Sequence, residues 1–104
     1  MKVQFHPAAA SEHLDSVAFY ENRLAGLGAD YLAEFDTTLA QVCNAPIGFL
    51  LDTTPDIRIA QLKRFPFNLL FRPGASVSPV LAVAHQRRRP RYWLGRIAVA
   101  NDES

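Results

Sequence analysis

Apolar residues recur along this chain with two different periods, and the change from one to the other divides it. Val3–His6 alternates, Val3 and Phe5 against Gln4 and His6, which is the period of a short half-buried strand. Pro7 then fits the first turn of a helix, where a missing N–H costs nothing. From Ala8 to Ala25 the residues favour helix, with Ala10, Leu14, Val17, Ala18 and Leu24 on one stripe and Glu12, Asp15, Asn22 and Arg23 elsewhere. Gly26 and Gly28 bracket Leu27 as a stop and restart. Tyr31, Leu32, Phe35, Leu39, Val42 and Cys43 follow at steps of three and four, predicting a second helix that ends near Asn44–Pro46. Asp30 falls in its first turn, favourably placed against the helix dipole. The two helices form a hairpin.

Ile47–Pro55 reads as a loop with an apolar patch, Phe49, Leu50 and Leu51, bounded by Pro46, Gly48 and Pro55. Three strand-like runs follow: Ile57–Lys63, Phe67–Arg72 and Val80–His85, with a Pro-Gly turn over Pro73–Ser78 between the last two. Val80–His85 is apolar up to its histidine, as suits a central strand buried on both faces. Turns this short make the three strands antiparallel neighbours. Tyr92–Val99 reads as a helical turn or a short strand, and Asn101–Ser104 as a polar, frayed tail. The expected fold is a single α+β domain over residues 1–104, in the order β-α-α-β-β-β. An N-terminal strand and an antiparallel three-stranded meander form one sheet, with the helical hairpin on one face and a short C-terminal segment.

Composition agrees with that picture and adds one fact. A chain of 104 residues, 49% hydrophobic and 20% charged, can bury a core without disulfides or metal. No apolar run approaches the roughly 18 residues of a membrane helix. The opening MKVQFHPAAASEHLD turns polar too early for a secretory signal, and a lone cysteine, Cys43, fits a reducing cytoplasm, the expected location. The net charge of +1 conceals a strong asymmetry. Residues 1–55 set two cations against seven acidic residues, a net of −5, while residues 56–104 set nine against three, a net of +6. Such a chain either presents a basic face that steers acidic partners, or covers its basic sheet with acidic helices.

The basic charge is concentrated after the last strand. Arg87, Arg88, Arg89, Arg91 and Arg96 fall within ten positions, with Tyr92 and Trp93 among them. Arginine and aromatic residues are the types enriched at interface hot spots, so Arg87, Arg88, Arg89, Arg91, Tyr92 and Trp93 are the candidate contact surface for a partner or target. Two blander readings stay open. Either ring of Tyr92 and Trp93 can belong to the core, and Arg96 can pair with an acidic residue of the helices rather than a ligand.

The element order, the opening FHPAAASEHLDSVAFYE, the segment IRIAQLKRFPFNLLFR and the closing VLAVAHQRRRPRYWLGR together resemble toxins of the RelE/ParE superfamily, from bacterial type II toxin–antitoxin modules. The most specific pieces of the resemblance are Arg64-Phe65-Pro66-Phe67 ahead of a strand and, over Ala82–Trp93, Ala-Val-Ala-His followed by Arg-Arg-x-Pro-x-Tyr-Trp, which begins at Arg87. The resemblance implies growth inhibition, a cognate antitoxin that wraps the toxin in a hetero-oligomer, and a role such as plasmid stabilisation. Some members bind and poison DNA gyrase without being nucleases; others are messenger-RNA interferases that cut transcripts on the ribosome. Ala-Val-Ala-His in place of a lysine-rich nuclease pattern favours the ParE-like, gyrase-binding branch.

The nuclease alternative can be framed from chemistry. Cleaving RNA through its own 2′-OH requires a base, a proton for the leaving oxygen and cations around the phosphorane charge. His85 is the acid–base candidate. Arg58, Lys63, Arg64, Arg72, Arg87 and Arg88 are candidate phosphate holders, and Tyr92 or Trp93 a stacking platform for a base. The competing role for His85 is a strand-end histidine bonded to a backbone carbonyl. The preferred role for Phe65, Pro66 and Phe67 is packing. A third function is an interaction or nucleic-acid-binding module that has lost toxicity. His6, His13 and Cys43 form no metal-ligand spacing, and the sequence holds no cofactor motif, so neither metal nor cofactor is expected.

Overall fold

The computed structural model describes residues 2–74 and 77–97. Strand β1 (Lys2–Phe5) leads into helix α1 (Pro7–Arg23), helix α2 (Leu27–Asn44), a 3-10 turn (Pro46–Gly48) and strands β2 (Leu50–Thr53), β3 (Ile57–Gln61), β4 (Phe67–Phe71) and β5 (Val77–His85). They form one sheet in the order β1-β5-β4-β3-β2. The last four strands are antiparallel neighbours, while β1 joins β5 in parallel, Phe5 opposite Val80. The α+β class, the hairpin and the meander expected from the sequence are therefore present. The strands differ at their ends: β3 stops at Gln61 and β4 at Phe71, one or two residues early, and β5 starts at Val77, inside the expected turn. Residues 75–76 and 98–104 lie outside the described residues, so the Pro73–Ser78 turn is seen only in part. The polar tail is not seen, and Tyr92–Val99 is seen to Ile97, where its amides bond back three residues as in a helical turn.

One element was missed. The stretch read as a loop, Ile47–Pro55, contains β2, the edge strand paired to β3 through Leu50↔Ile59 and Leu51↔Arg58. Its residues run exposed, with Leu50 77% accessible, because an edge strand lying off the helices has no inner face to mark by alternation.

Each helix boundary has a local cause. Pro7 occupies the first turn of α1, and His6 Nδ1 accepts the Ala8 N–H at 3.0 Å as its cap. Gly26 takes φ +90, the left-handed backbone that ends one helix and starts the next. Gly28 is not a break but part of the first turn of α2, where a Cβ would sit 2.9 Å from the Val17 carbonyl oxygen. Glu21 closes the corner by accepting the N–H of Gly26 at 3.1 Å and of Gly28 at 3.0 Å.

The core lies on both faces of the sheet. On the helical face Ala9, Tyr31, Phe35 and Val42 meet Ala60, Leu69, Phe71, Val80 and Val83. On the other, Ile57, Leu70, Leu81, Ala82 and Ala84 are covered by Trp93. Residues 80–84 are all buried, as expected of a central strand, and the shift of register between Leu70/Phe71 and Ala82/Val80 lets neighbouring residues of β5 serve both cores. The α1 stripe differs from the expected one. Leu14 is 66% exposed and Leu24 also faces water, whereas Ala9 and Ser16 are buried and Glu12, His13 and Tyr20 lie half-buried beside them. Small residues at Ala9 and Ser16 let α1 approach closely. In α2 the expected stripe holds at Tyr31, Phe35 and Val42, with Thr38 buried and Leu32 exposed. Among the described residues, no helix is long and apolar enough to cross a membrane.

Removing a ring from the helix–sheet core leaves a cavity. Phe35→Ala is expected to cost about 3–5 kcal/mol, while Leu14→Ala stays within about 0.5 kcal/mol, both read by urea unfolding. Equal losses at the two positions would restore the Leu14 stripe.

Candidate functional site

The sheet face opposite the hairpin carries a cleft of about 220 Å³. Its floor is Ile59, Asn68, Leu70 and Ala84, with Asp52 of β2 at its far side. Its wall is the loop after β5, which brings in Arg88, Arg89, Arg91, Tyr92 and Trp93. The loop turns sharply: the Arg88 N–H bonds the His85 carbonyl at 2.9 Å, and Arg91 adopts φ 60, in the left-handed region that non-glycine residues rarely enter. Trp93 anchors the loop in the second core at 3% exposure. That corrects its place in the expected contact surface: its ring is mostly core, although it also lines the cleft.

Arg87, Arg88, Arg89 and Arg91 make no ion pair among the described residues. The acidic helices therefore do not cover this cluster; they lie across the other face. Arg88 lies over the Tyr92 ring, 3.9 Å from its centroid, a cation–π contact that fixes one guanidinium on the wall. Arg96 behaves as its bland reading expected and pairs with the helical Glu12.

Glu12 is the residue that the sequence reading left on the polar side of α1. Its carboxylate is enclosed by four donors. Oε1 accepts from Arg96 Nη1 at 2.9 Å and the Val83 N–H at 3.0 Å; Oε2 accepts from the Tyr92 hydroxyl at 2.6 Å and Arg96 Nη2 at 3.0 Å. Arg96 Nη1 also donates to the Leu81 carbonyl at 2.9 Å. Burial works against the Glu12 carboxylate, but the bonds from Arg96, Tyr92 and Val83 outweigh it and hold the carboxyl below its ordinary value. The same contacts act in the opposite sense on Tyr92: burial, then the bond to the Glu12 carboxylate, pushes its phenol up to about 12. Arg96 is raised by its bond to Glu12.

The nuclease candidates converge only in part. His85 stands opposite Phe67 at one end of β4 and Arg58 opposite Phe71 at the other. Four residues of strand separate them by about 13 Å. The His85 ring packs edge-on against Phe67 of the helical core, at 5.1 Å between centroids, and Nδ1 accepts the Arg87 N–H at 3.1 Å. It is bonded to a backbone amide, not to the carbonyl expected of a structural histidine. Arg58 turns to the Phe49 carbonyl at 2.7 Å, with its Nε buried and without a partner among the described residues. Lys63 and Arg64 sit in the β3–β4 turn, where their backbone amides are held by Glu34 of α2. Arg64 lies over Phe65, which packs on Tyr20 and Tyr31 as its packing role required. Arg72 pairs with Asp56 at 3.1 Å. Of the nuclease set, Arg88 and Tyr92 form the cleft wall; His85 lines its edge with its ring against the opposite core. Among the described residues no cluster of histidine, cysteine and carboxylate side chains is arranged to hold a metal.

The sequence matches no family model and no curated protein. The fold is shared with solved structures. One is a chain of the chromosomal ParDE TA system from P. aeruginosa, at TM-score 0.65 and 18% identity, over 82% of this chain and 95% of that one. This likeness shows a shared fold.

Folding favours the charged form of Glu12, because its folded value lies below the ordinary 4.5. The stability this supplies is complete above that value and is lost as pH falls through the folded one. The Glu12→Gln variant should therefore show a flatter decline in stability than the parent between about pH 5 and about pH 3, measured by urea unfolding at each pH. Parallel profiles would show that Glu12 does not titrate in this way.

Proposed function

We propose that this chain is the toxin of a type II toxin–antitoxin pair. It arrests growth in the cytoplasm by binding DNA gyrase, and a cognate antitoxin silences it by laying an acidic segment along the arginine cleft, forming a toxin–antitoxin hetero-oligomer. The observation that carries this reading is the cleft: Arg88, Arg89 and Arg91, without an ion pair among the described residues, stand over a mostly apolar floor, on a fold shared with a chain of a ParDE system. Guanidinium groups accept carboxylates bidentately, and an acidic segment that orders on binding would gain both those contacts and the floor.

The gyrase-binding branch is preferred over the ribonuclease one because only part of the nuclease set is gathered: His85 and Arg88 meet at the cleft, while Arg58, Lys63, Arg64 and Arg72 are engaged elsewhere. Moving protons between a 2′-OH and a leaving oxygen needs a free acid–base group facing the substrate, whereas His85 reaches the cleft only at its edge, with its ring against Phe67 and its Nδ1 taken by the Arg87 amide. Arg87, Arg88, Arg89, Arg91 and Tyr92 are the contact residues in this reading, Trp93 their support.

Controlled expression tests it. The expected outcome is growth arrest with gyrase-dependent DNA damage, no cuts inside translated codons, and arrest that persists in His85→Ala. Codon-internal transcript cleavage that disappears in His85→Ala would replace this reading with the ribonuclease one. Folded protein without arrest would leave the non-toxic binding module.

A further inference from the structure

We propose that Glu12 is a positioning residue for the arginine cleft: from α1 it holds Tyr92 and Arg96 against the bared edge of β5, so that the loop 86–91 meets an acidic polypeptide as a preformed wall. The inference rests on the cleft reading above and adds the residue that governs it.

The argument starts from a mismatch in strand length. β1 ends at Phe5, opposite Val80, and the His6 N–H to the Val80 carbonyl at 2.9 Å is its last bond to β5. β5 runs on to His85. Buried backbone groups on that edge require partners, and among the described residues no strand continues to supply them. Side chains take over: Glu12 accepts the Val83 N–H, Arg96 donates to the Leu81 carbonyl, and the two side chains are joined to each other bidentately. An ion pair thus continues the ladder where the strand stops.

That pair also fixes the loop. Its near end is tied at β5, where His85 Nδ1 holds the Arg87 amide. Its far end is tied by Tyr92, whose hydroxyl donates to Glu12, and by Arg96. Arg88 rests on the Tyr92 ring, and Arg96 approaches the same ring at 5.1 Å. A line of contacts therefore runs from Glu12 through Tyr92 to a guanidinium of the cleft wall. Only a glutamate meets these demands. Aspartate is one methylene shorter, and glutamine would present an NH₂ to two of the four donors. A wall fixed before the partner arrives spares the ordering of several long side chains on binding.

The test compares the parent, Glu12→Gln, Tyr92→Phe and the triple variant Arg88→Ala/Arg89→Ala/Arg91→Ala, using a fluorescein-labelled poly-glutamate peptide as probe. Trp93 is the chain's only tryptophan, so its emission reports the position of the loop in the native state. For Glu12→Gln the expected result is an unchanged far-UV spectrum, red-shifted Trp93 emission, and probe affinity lower by about tenfold, the scale of one charge-assisted bond. Amides of 86–93 should exchange faster, since a loop freed at one end opens more often. Tyr92→Phe, which removes one bond of the four, shifts emission and affinity in the same direction by less, and serves if Glu12→Gln fails to fold. Native emission and parental affinity in both variants would overturn the proposal while leaving the cleft in place. Parental affinity in the triple arginine variant would instead remove the cleft as the binding surface, and with it the role given to Glu12.

Discussion

A strand buried on both faces and left half-flanked on one edge is the constraint from which the rest of this molecule follows. Residues 80–84 of β5 are apolar and enclosed, so each face requires a cover. The hairpin supplies one through Tyr31, Phe35 and Val42; the turn around Trp93 supplies the other. The edge requires hydrogen-bond partners beyond Val80, and Glu12 with Arg96 provides them. These demands meet in one place, since Trp93 and Arg96 belong to the same short turn. Residues 93–96 are thereby bound into the centre of the fold.

The asymmetry of charge is resolved by geometry more than by pairing. The acidic half forms the helices on one face, and the arginine cluster emerges from the last strand onto the other. Only Glu12–Arg96 joins the two halves as an ion pair among the described residues. Its position between helix and sheet edge, largely shielded on both partners, makes it structural: removing one member leaves a poorly solvated charge opposite donors built for it. Arg87, Arg88, Arg89 and Arg91 beyond it make no ion pair among the described residues, which is why the cleft is basic although the whole chain carries a net charge of only +1.

The residues that were legible in the sequence were those whose local pattern and burial agree. Residues 80–84 are apolar throughout, and Tyr31, Phe35 and Val42 keep helical spacing, so both elements could be assigned from periodicity. α1 was legible as a helix but not in its orientation. Its inward line runs Ala9, Glu12, Ser16, Tyr20, spaced three and four apart yet made of small and polar residues that a search for apolar stripes rejects. That spacing was the available signal for Glu12. β2 was hidden for the opposite reason: an edge strand with Leu50 and Leu51 exposed follows no burial rule. Trp93 was ambiguous because the same indole suits an interface or a core, and only the depth of the second core decides between them.

The faces of the sheet also separate two chemistries that the sequence places side by side. His85 and Arg88 are three residues apart, but β5 ends between them. The ring of His85 stays with Phe67 on the helical side, while Arg88 passes to the other and stacks on Tyr92. A strand sends alternate side chains to opposite faces, so a histidine at its end and cations in the loop beyond need not share a site. His85 reaches the cleft only at its edge, held there by its ring contact with Phe67 and by its bond to the Arg87 amide, the bond that starts the arginine loop. The contact that orders the arginine loop thus also fixes the orientation of this histidine.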